Sequence, residues 1–296
     1  MAEAVVVEAP AKVNLYLGVG PRRGDGYHDL TTVFQTVELS DRVTIEPAES
    51  LEFECDVDLG IADSENLAVR AALAFAAVCG RHPAVRVSLR KQIPAGAGLA
   101  GGSSDAAAVI AGLAEMWEMD TSDAHLRTTA AALGSDVPFF LSGGTSLYTG
   151  RGDEFAARVP FVPLDIVLVY VGVPVATQEA YSAFDSFPHT PTPGPEALVA
   201  ACASGDPARV AATLYNNMTD ASVGLVAGIA ETLAWCQREK GVLGAAMAGS
   251  GSAVFAVCAS AESAEEVAVH ASRRGWWSCA TKAIERGVTL GLEEAS

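Results

Sequence analysis

The chain has 296 residues, 50% of them hydrophobic, and a mean hydropathy of +0.27, so it can bury a sizeable core as one large domain or two ordinary ones. A formal charge of −17 and a pI near 4.6 exclude a basic face for nucleic acid or an anionic membrane. An anionic small molecule stays admissible if backbone amides and a few cations gather locally, and the lysines are few: Lys12, Lys91, Lys240 and Lys282.

The N-terminus, MAEAVVVEAPAKVN, lacks a basic start followed by a long apolar run, so no secretory leader is expected and the cytoplasm is the expected compartment. Residues 5–19 read as a strand, with Val13, Leu15, Leu17 and Val19 alternating along it. PRRGDGYHDL reads as a turn-rich loop, and TTVFQTVEL and DRVTIEP as two further strands. The spacing predicts a helix over 65–79, with Leu67, Ala71, Ala74 and Val78 on one face. Residues 84–93 alternate like a strand and run into IPAGAGLAGGSSDAAA. DAAAVIAGLAEMWEM then reads as a helix with Ser103 or Ser104 as its N-cap and Ala106, Ile110, Leu113 and Trp117 on one stripe. A second helix is expected over 122–133, capped by Ser122 and stopped by Gly134, followed by a loop, GSDVPFFLSGG, that carries Asp136.

A domain boundary is expected near residue 158, giving an N-terminal domain, 1–158, and a C-terminal domain, 159–296. In the latter, 163–171 reads as a strand, SFPHTPTPGP as a surface loop, and 220–240 as the longest helix. Residues 241–261 are uncharged and long enough to raise a membrane question, but Gly-Ser-Gly-Ser splits them into strand, turn and strand. A helix over 261–274 and the strand WWSCATKAI close the chain. The expected class is α+β, with a β-α-β-β-α-β, ferredoxin-like second half carrying inserted helices.

Six scattered cysteines show no metal-finger spacing and five histidines no ligand spacing, so no protein-built metal site is expected. The glycine-dense loop is the strongest chemical signal. A helix N-terminus presents unpaired N–H groups and a partial positive charge, and glycines before it let the backbone close around a phosphate. A Walker A loop would need a lysine inside it, and none is there. Gly96, Gly98 and Gly101 match G-x-G-x-x-G, but the acidic residues 115–120 lie at a helix end instead of a following parallel strand, so the dinucleotide context is missing.

APAKVNLYLGV, IPAGAGLAGGSSDAAA and AMAGSGSAVFAV together resemble the three motifs of the small-molecule kinase superfamily that includes galactokinase, homoserine kinase and mevalonate kinase. PAKVNLYL with RRGDGYHDLTTVFQTVEL, and GSDVPFFLSGGTSLYTGRGDE, are most similar to its branch that phosphorylates the 2-hydroxyl of a cytidine-diphosphate-linked methylerythritol on the non-mevalonate route to isoprenoids. The resemblance implies ATP and Mg²⁺ as cofactors, the ion arriving with ATP, and a small-molecule acceptor. Nucleic acid and membrane are not expected partners, and a monomer or weak homodimer is the expected state. It implies Lys12 and Asp136 as the catalytic pair, Asp136 as base or as orienter of the hydroxyl, with Asn14 beside them. Pro94, Gly96, Gly98, Leu99, Gly101 and Gly102 would surround the ATP phosphates, with Ser103 and Ser104 at the helix start. Asn66, Leu67 and Lys91 would line the adenine pocket, although Asn66 could equally cap its helix. Tyr27 and His28 would hold the cytidine head, with Tyr181 against the cytosine and Thr177 nearby. Gly249, Ser250 and Gly251 would close on the substrate. Two departures stand out: Ala100 where glycine is common, and GSGSAV where GSGPT is usual.

Overall fold

The computed structural model describes residues 4–119, 124–187 and 192–291. The N-terminal half is built on two long antiparallel strands, β1 (Val5–Arg22) and β2 (His28–Pro47). The two strands expected after the first loop are therefore one. It stays continuous because the pairing jumps from Pro10↔Ser40 to Ala11↔Val37, which leaves Glu38 and Leu39 outside the ladder and bends the hairpin there.

The strand β3 (Glu52–Cys55) comes next, then α1 (Leu67–Val78) and β4 (Val85–Arg90). Helix α1 buries Ala68, Ala71, Ala72, Phe75 and Ala76, and Val78 is exposed. The expected stripe is thus rotated, because Phe75 is the bulkiest apolar side chain and takes the inward position. Helix α2 (Gly101–Met116) begins earlier than expected: Ala100 occupies the cap position and its carbonyl accepts the Ser104 N–H. Ser103 and Ser104 are thereby in the first turn and are not caps.

Helix α3 (Ala124–Leu133) follows, with Gly134 directly after it; the expected Ser122 cap lies outside the described residues. The expected loop over 134–144 contains a short helix, α4 (Val137–Ser142). Pro138 near its start has a fixed φ and no N–H to satisfy there, while Val137, Phe139 and Phe140 are buried. Strands β5 (Thr145–Thr149) and β6 (Glu154–Arg158) complete this half.

The remaining elements are β7 (Asp165–Tyr170), α5 (Thr177–Phe184), α6 (Glu196–Ser204), α7 (Pro207–Ala212) and β8 (Tyr215–Asn216). Then come α8 (Thr219–Leu225), α9 (Gly228–Cys236), β9 (Val242–Met247) and β10 (Val254–Cys258). The chain ends with α10 (Ala261–Arg273), β11 (Trp277–Lys282) and β12 (Thr289–Leu290). The long helix expected over 220–240 is broken into α8 and α9 because Val226 is extended, with φ −134° and ψ 94°.

Two sheets result. The first runs β12-β1-β2-β4-β3, with β5 on β2, β6 on β5 and β8 parallel to β1. The second runs β11-β7-β10-β9, antiparallel throughout, which is the ferredoxin-like order of a β-α-β-β-α-β unit. Sheet membership changes between Arg158 and Asp165, while β8 and β12 return to the first sheet. Helices α1 and α2 cover one face of the first sheet, with Ile110 and Leu113 of α2 sharing a core with Val43, Ile45 and Val87 of the strands. Its inner residues Val13, Leu15 and Val37 share a core with Ile166, Leu168 and Phe255 of the second sheet. The α+β class holds. Among the described residues no helix is long and apolar enough to cross a membrane.

Candidate active site

Along β1 the side chains alternate: Ala11, Val13 and Leu15 enter the inter-sheet core, which sends Lys12 and Asn14 to the opposite side. Lys12 is 4% exposed, and its Nζ donates to Asn14 Oδ1 at 2.7 Å, lies 3.5 Å from Asp136 Oδ2 and sits 5.1 Å above the Phe34 ring. Burial holds its ammonium below the ordinary lysine value, and the Asp136 charge pulls the other way. Asp136 stands at the N-terminus of α4 without capping it, so its carboxylate is left for Lys12 and the cleft.

Asn14 Oδ1 also accepts the Gly249 N–H at 3.0 Å, and Asn14 Nδ2 donates to Thr32 Oγ1 at 2.9 Å. One amide side chain therefore joins the first motif to the third. Asn216 secures the third motif from behind, donating to the carbonyls of Met247 and Gly249, both at 2.8 Å. Ser250 Oγ lies 3.5 Å from Thr177 Oγ1, and Gly251 is packed against Met247.

The glycine loop leans on the same turn. Ala97 and Gly96 carbonyls accept the N–H groups of Ala253 and Val175, and Leu99 O accepts the Lys12 N–H at 3.1 Å. A Cβ on Gly98, whose φ is +83°, would fall 2.2 Å from Ala248 O; one on Gly96 would fall 2.6 Å from Pro174. These two glycines are required by packing between loops. Gly102 differs: its Cβ position meets only Leu67, at 3.8 Å. The carbonyls of Gly96, Ala97, Leu99 and Ala100 are engaged, yet the N–H groups from Gly98 to Ser103 have no hydrogen-bond partner among the described residues. Such a row of free amides at a helix start is an anion receptor. Ser104 is fully buried in the first turn and its Oγ has no partner either.

The other expected residues separate into groups. His28 is 6% exposed, its Nε2 lies 2.7 Å from Asp185 Oδ1, and its ring stacks on Tyr181 at 5.1 Å. Burial, aided by the Asp136 charge, pushes the Tyr181 phenol up. Tyr27 is not part of this stack: it is exposed, with the Arg151 guanidinium 4.9 Å from its ring. Asn66 caps α1, accepting the Ala68 N–H at 2.9 Å, and Leu67 opens that helix. Pro94 is half-buried at the loop entrance. Lys91 points inward, held by Asp41 and by Asp105 at 2.7 Å. Sequence reasoning missed Asp41, Asp105, Asp185 and Asn216. Asp105 stood inside the quoted motif, and the pair Asn216-Asn217 was a signal; nothing local marked Asp41.

Comparison with known proteins gives the family. The family model for the GHMP kinases N terminal domain matches residues 66–144, and that for the GHMP kinases C terminal domain matches residues 198–275. The chain is 40% identical over 302 residues to the 4-diphosphocytidyl-2-C-methyl-D-erythritol kinase of Mycobacterium tuberculosis, covering 99% of this chain and 93% of that one. A solved 4-(cytidine 5'-diphospho)-2C-methyl-D-erythritol kinase superposes with a TM-score of 0.80 at 35% identity, over 94% of this chain and 98% of that chain. A homoserine kinase from Cytophaga hutchinsonii shares the fold, with a TM-score of 0.77 at 19% identity over 98% of each chain. The chain belongs to the GHMP kinases, in the 4-diphosphocytidyl-2-C-methyl-D-erythritol kinase family.

Proposed function

We propose that this chain transfers the γ-phosphoryl group of ATP to the 2-hydroxyl of 4-diphosphocytidyl-2-C-methyl-D-erythritol. The observation that carries the reading is the cluster of Lys12, Asn14, Asp136 and Gly249, which joins three distant segments beside a row of free backbone amides. The amides from Gly98 to Ser103 receive the phosphates. Lys12 offsets the charge that develops on the transferring group, and its dry surroundings strengthen that interaction. Asp136 orients the acceptor hydroxyl and takes its proton late, as a loose transition state requires. The new O–P bond forms as the bond to the β–γ bridging oxygen breaks, and ADP leaves with that electron pair.

Mg²⁺ fits this site as an ion carried by the phosphates. Among the described residues no cluster of three or more histidine, cysteine or acidic side chains could hold a metal, while the orphaned Ser104 hydroxyl is one protein oxygen to spare. The ion would neutralise phosphate charge. His28 and Tyr181 supply a flat wall for the cytosine, and Tyr27 with Arg151 forms an outer edge. We keep 1–158 and 159–296 as the nucleotide-side and acceptor-side units. Six free cysteines, three of them buried, fit a reducing cytoplasm.

Homoserine and mevalonate kinases share the fold at under 20% identity, and the aromatic wall favours a cytidylyl acceptor over theirs. The test is turnover by Asp136→Asn and Lys12→Met. Each is expected to lose about 10²–10⁴-fold in kcat while still binding ATP. Wild-type rates in both contradict the assignment.

A further inference from the structure

Three ionisable side chains lie buried together directly beneath the glycine loop, outside the chemistry described above. Lys91, just past the end of β4, is 7% exposed; Asp41, at the bend of β2, is 0%, and Asp105, in α2, is 3%. Lys91 Nζ donates to Asp41 Oδ2 and, at 2.7 Å, to Asp105 Oδ2. The other Asp41 oxygen accepts the N–H groups of Gln92 and Ile93 at 2.6 and 2.9 Å. A Cβ on Gly101 would stand 3.2 Å from Asp41 Oδ2, so the far end of the loop packs on the same carboxylate.

The arrangement ties the entry of the loop, residues 91–93, to its exit, residues 101–105, across one rigid bend. A segment with glycines at 96, 98, 101 and 102 has much backbone freedom to lose, and it needs such a tie to keep its amides turned to one side. Buried charges persist only where partners meet them, and here the partners are the two ends of the loop. The resemblance puts Lys91 in the adenine pocket. In the structure its ammonium is already shared between two carboxylates, a poor state for binding a further group.

We infer that Asp41, Lys91 and Asp105 are positioning residues for the nucleotide, holding the glycine loop in its amide-presenting shape, and that the Lys91 ammonium acts through the loop instead of binding ATP itself. The inference rests on the reading of that loop as the ATP phosphate site.

The test is Mg-ATP binding by titration calorimetry to the wild type, Asp41→Asn, Lys91→Met, Asp105→Asn and the double variant Lys91→Met/Asp105→Asn. Melting curves and the KM of the acceptor are measured alongside. Each single substitution is expected to weaken ATP about tenfold, with the acceptor KM unchanged, and the double variant to be no weaker than Lys91→Met alone. If Lys91 touches ATP, only its own substitution weakens binding and the two Asn variants bind as well as wild type or better; that result overturns the inference. Lowered melting temperatures with unchanged ATP affinity also overturn it, since they describe a purely structural triad. Should a single variant fail to fold, the charge-balanced double variant carries the comparison. A wild type that does not bind ATP overturns the loop reading itself, and the inference with it.

Discussion

Lys12 brings a charge to a place that water hardly reaches, and three neighbours offset it: the Asn14 amide oxygen, the Asp136 carboxylate and the face of Phe34. Burial still wins, so the folded value lies below the ordinary lysine value of 10.5. Between those two values the unfolded chain binds more protons than the native one, so stability rises with pH through that window. Below it, Lys12 costs the fold stability in exchange for its proposed role at the phosphoryl group. Lys12→Met is therefore expected to melt above the wild type at pH 8, and the gain to shrink as the pH approaches 10.5. A melting temperature below wild type would show that the charge stabilises the fold. Lys12 was legible because lysines are few and this one follows an apolar run into a strand; Asp136 was legible through its motif. Asp41 was not, since its partners Lys91 and Asp105 meet it only after β2 bends and β4 packs beside it.

The glycine loop combines two kinds of glycine that the sequence alone does not distinguish. Gly98 is required by the approach of the Ala248 carbonyl and by a positive φ, whereas Gly102 opens into space. Gly98→Ala is expected to lower the melting temperature by several degrees, because backbone stands where its Cβ would go. Gly102→Ala is expected to leave melting unchanged or raised, since alanine suits a helix better by about 1 kcal/mol, and to weaken ATP by covering the amide row. Equal melting losses in both would contradict the division. Ala100, at φ +57°, sits where glycine is cheaper. The left-handed region costs an alanine about 1–2 kcal/mol, part of which glycine returns through chain entropy. Ala100→Gly should therefore raise the melting temperature by about 1–2 °C, and an unchanged or lower value would contradict the strain. The helix signal after the loop was clear in the sequence. Its start was misplaced because the serines look like caps, while the chain in fact turns at Ala100.

At the scale of the molecule, the two sheets share one core, and the chain crosses between them more than once. Apolar runs were enough to read the second sheet, since β7 and β10 are almost continuously apolar, as strands buried on both faces are, and a Gly-Ser-Gly-Ser turn parts β9 from β10. They were not enough to read β8 and β12, which are two residues each and pair with β1 from nearly 200 and 280 residues away. Both bring the second half back to the strand that carries Lys12 and Asn14. Asn216, in β8, then holds the third motif against the first, so the site is assembled by these returns. The free amides and the Lys12–Asp136 pair are proposed to serve phosphoryl transfer to a cytidylyl-linked polyol. The direct measurement is coupled ADP release with Mg-ATP and 4-diphosphocytidyl-2-C-methyl-D-erythritol, beside homoserine and mevalonate. Release with the cytidylyl acceptor alone is the expected result; release with homoserine or mevalonate instead, or with none of the three in protein that binds ATP, would contradict it.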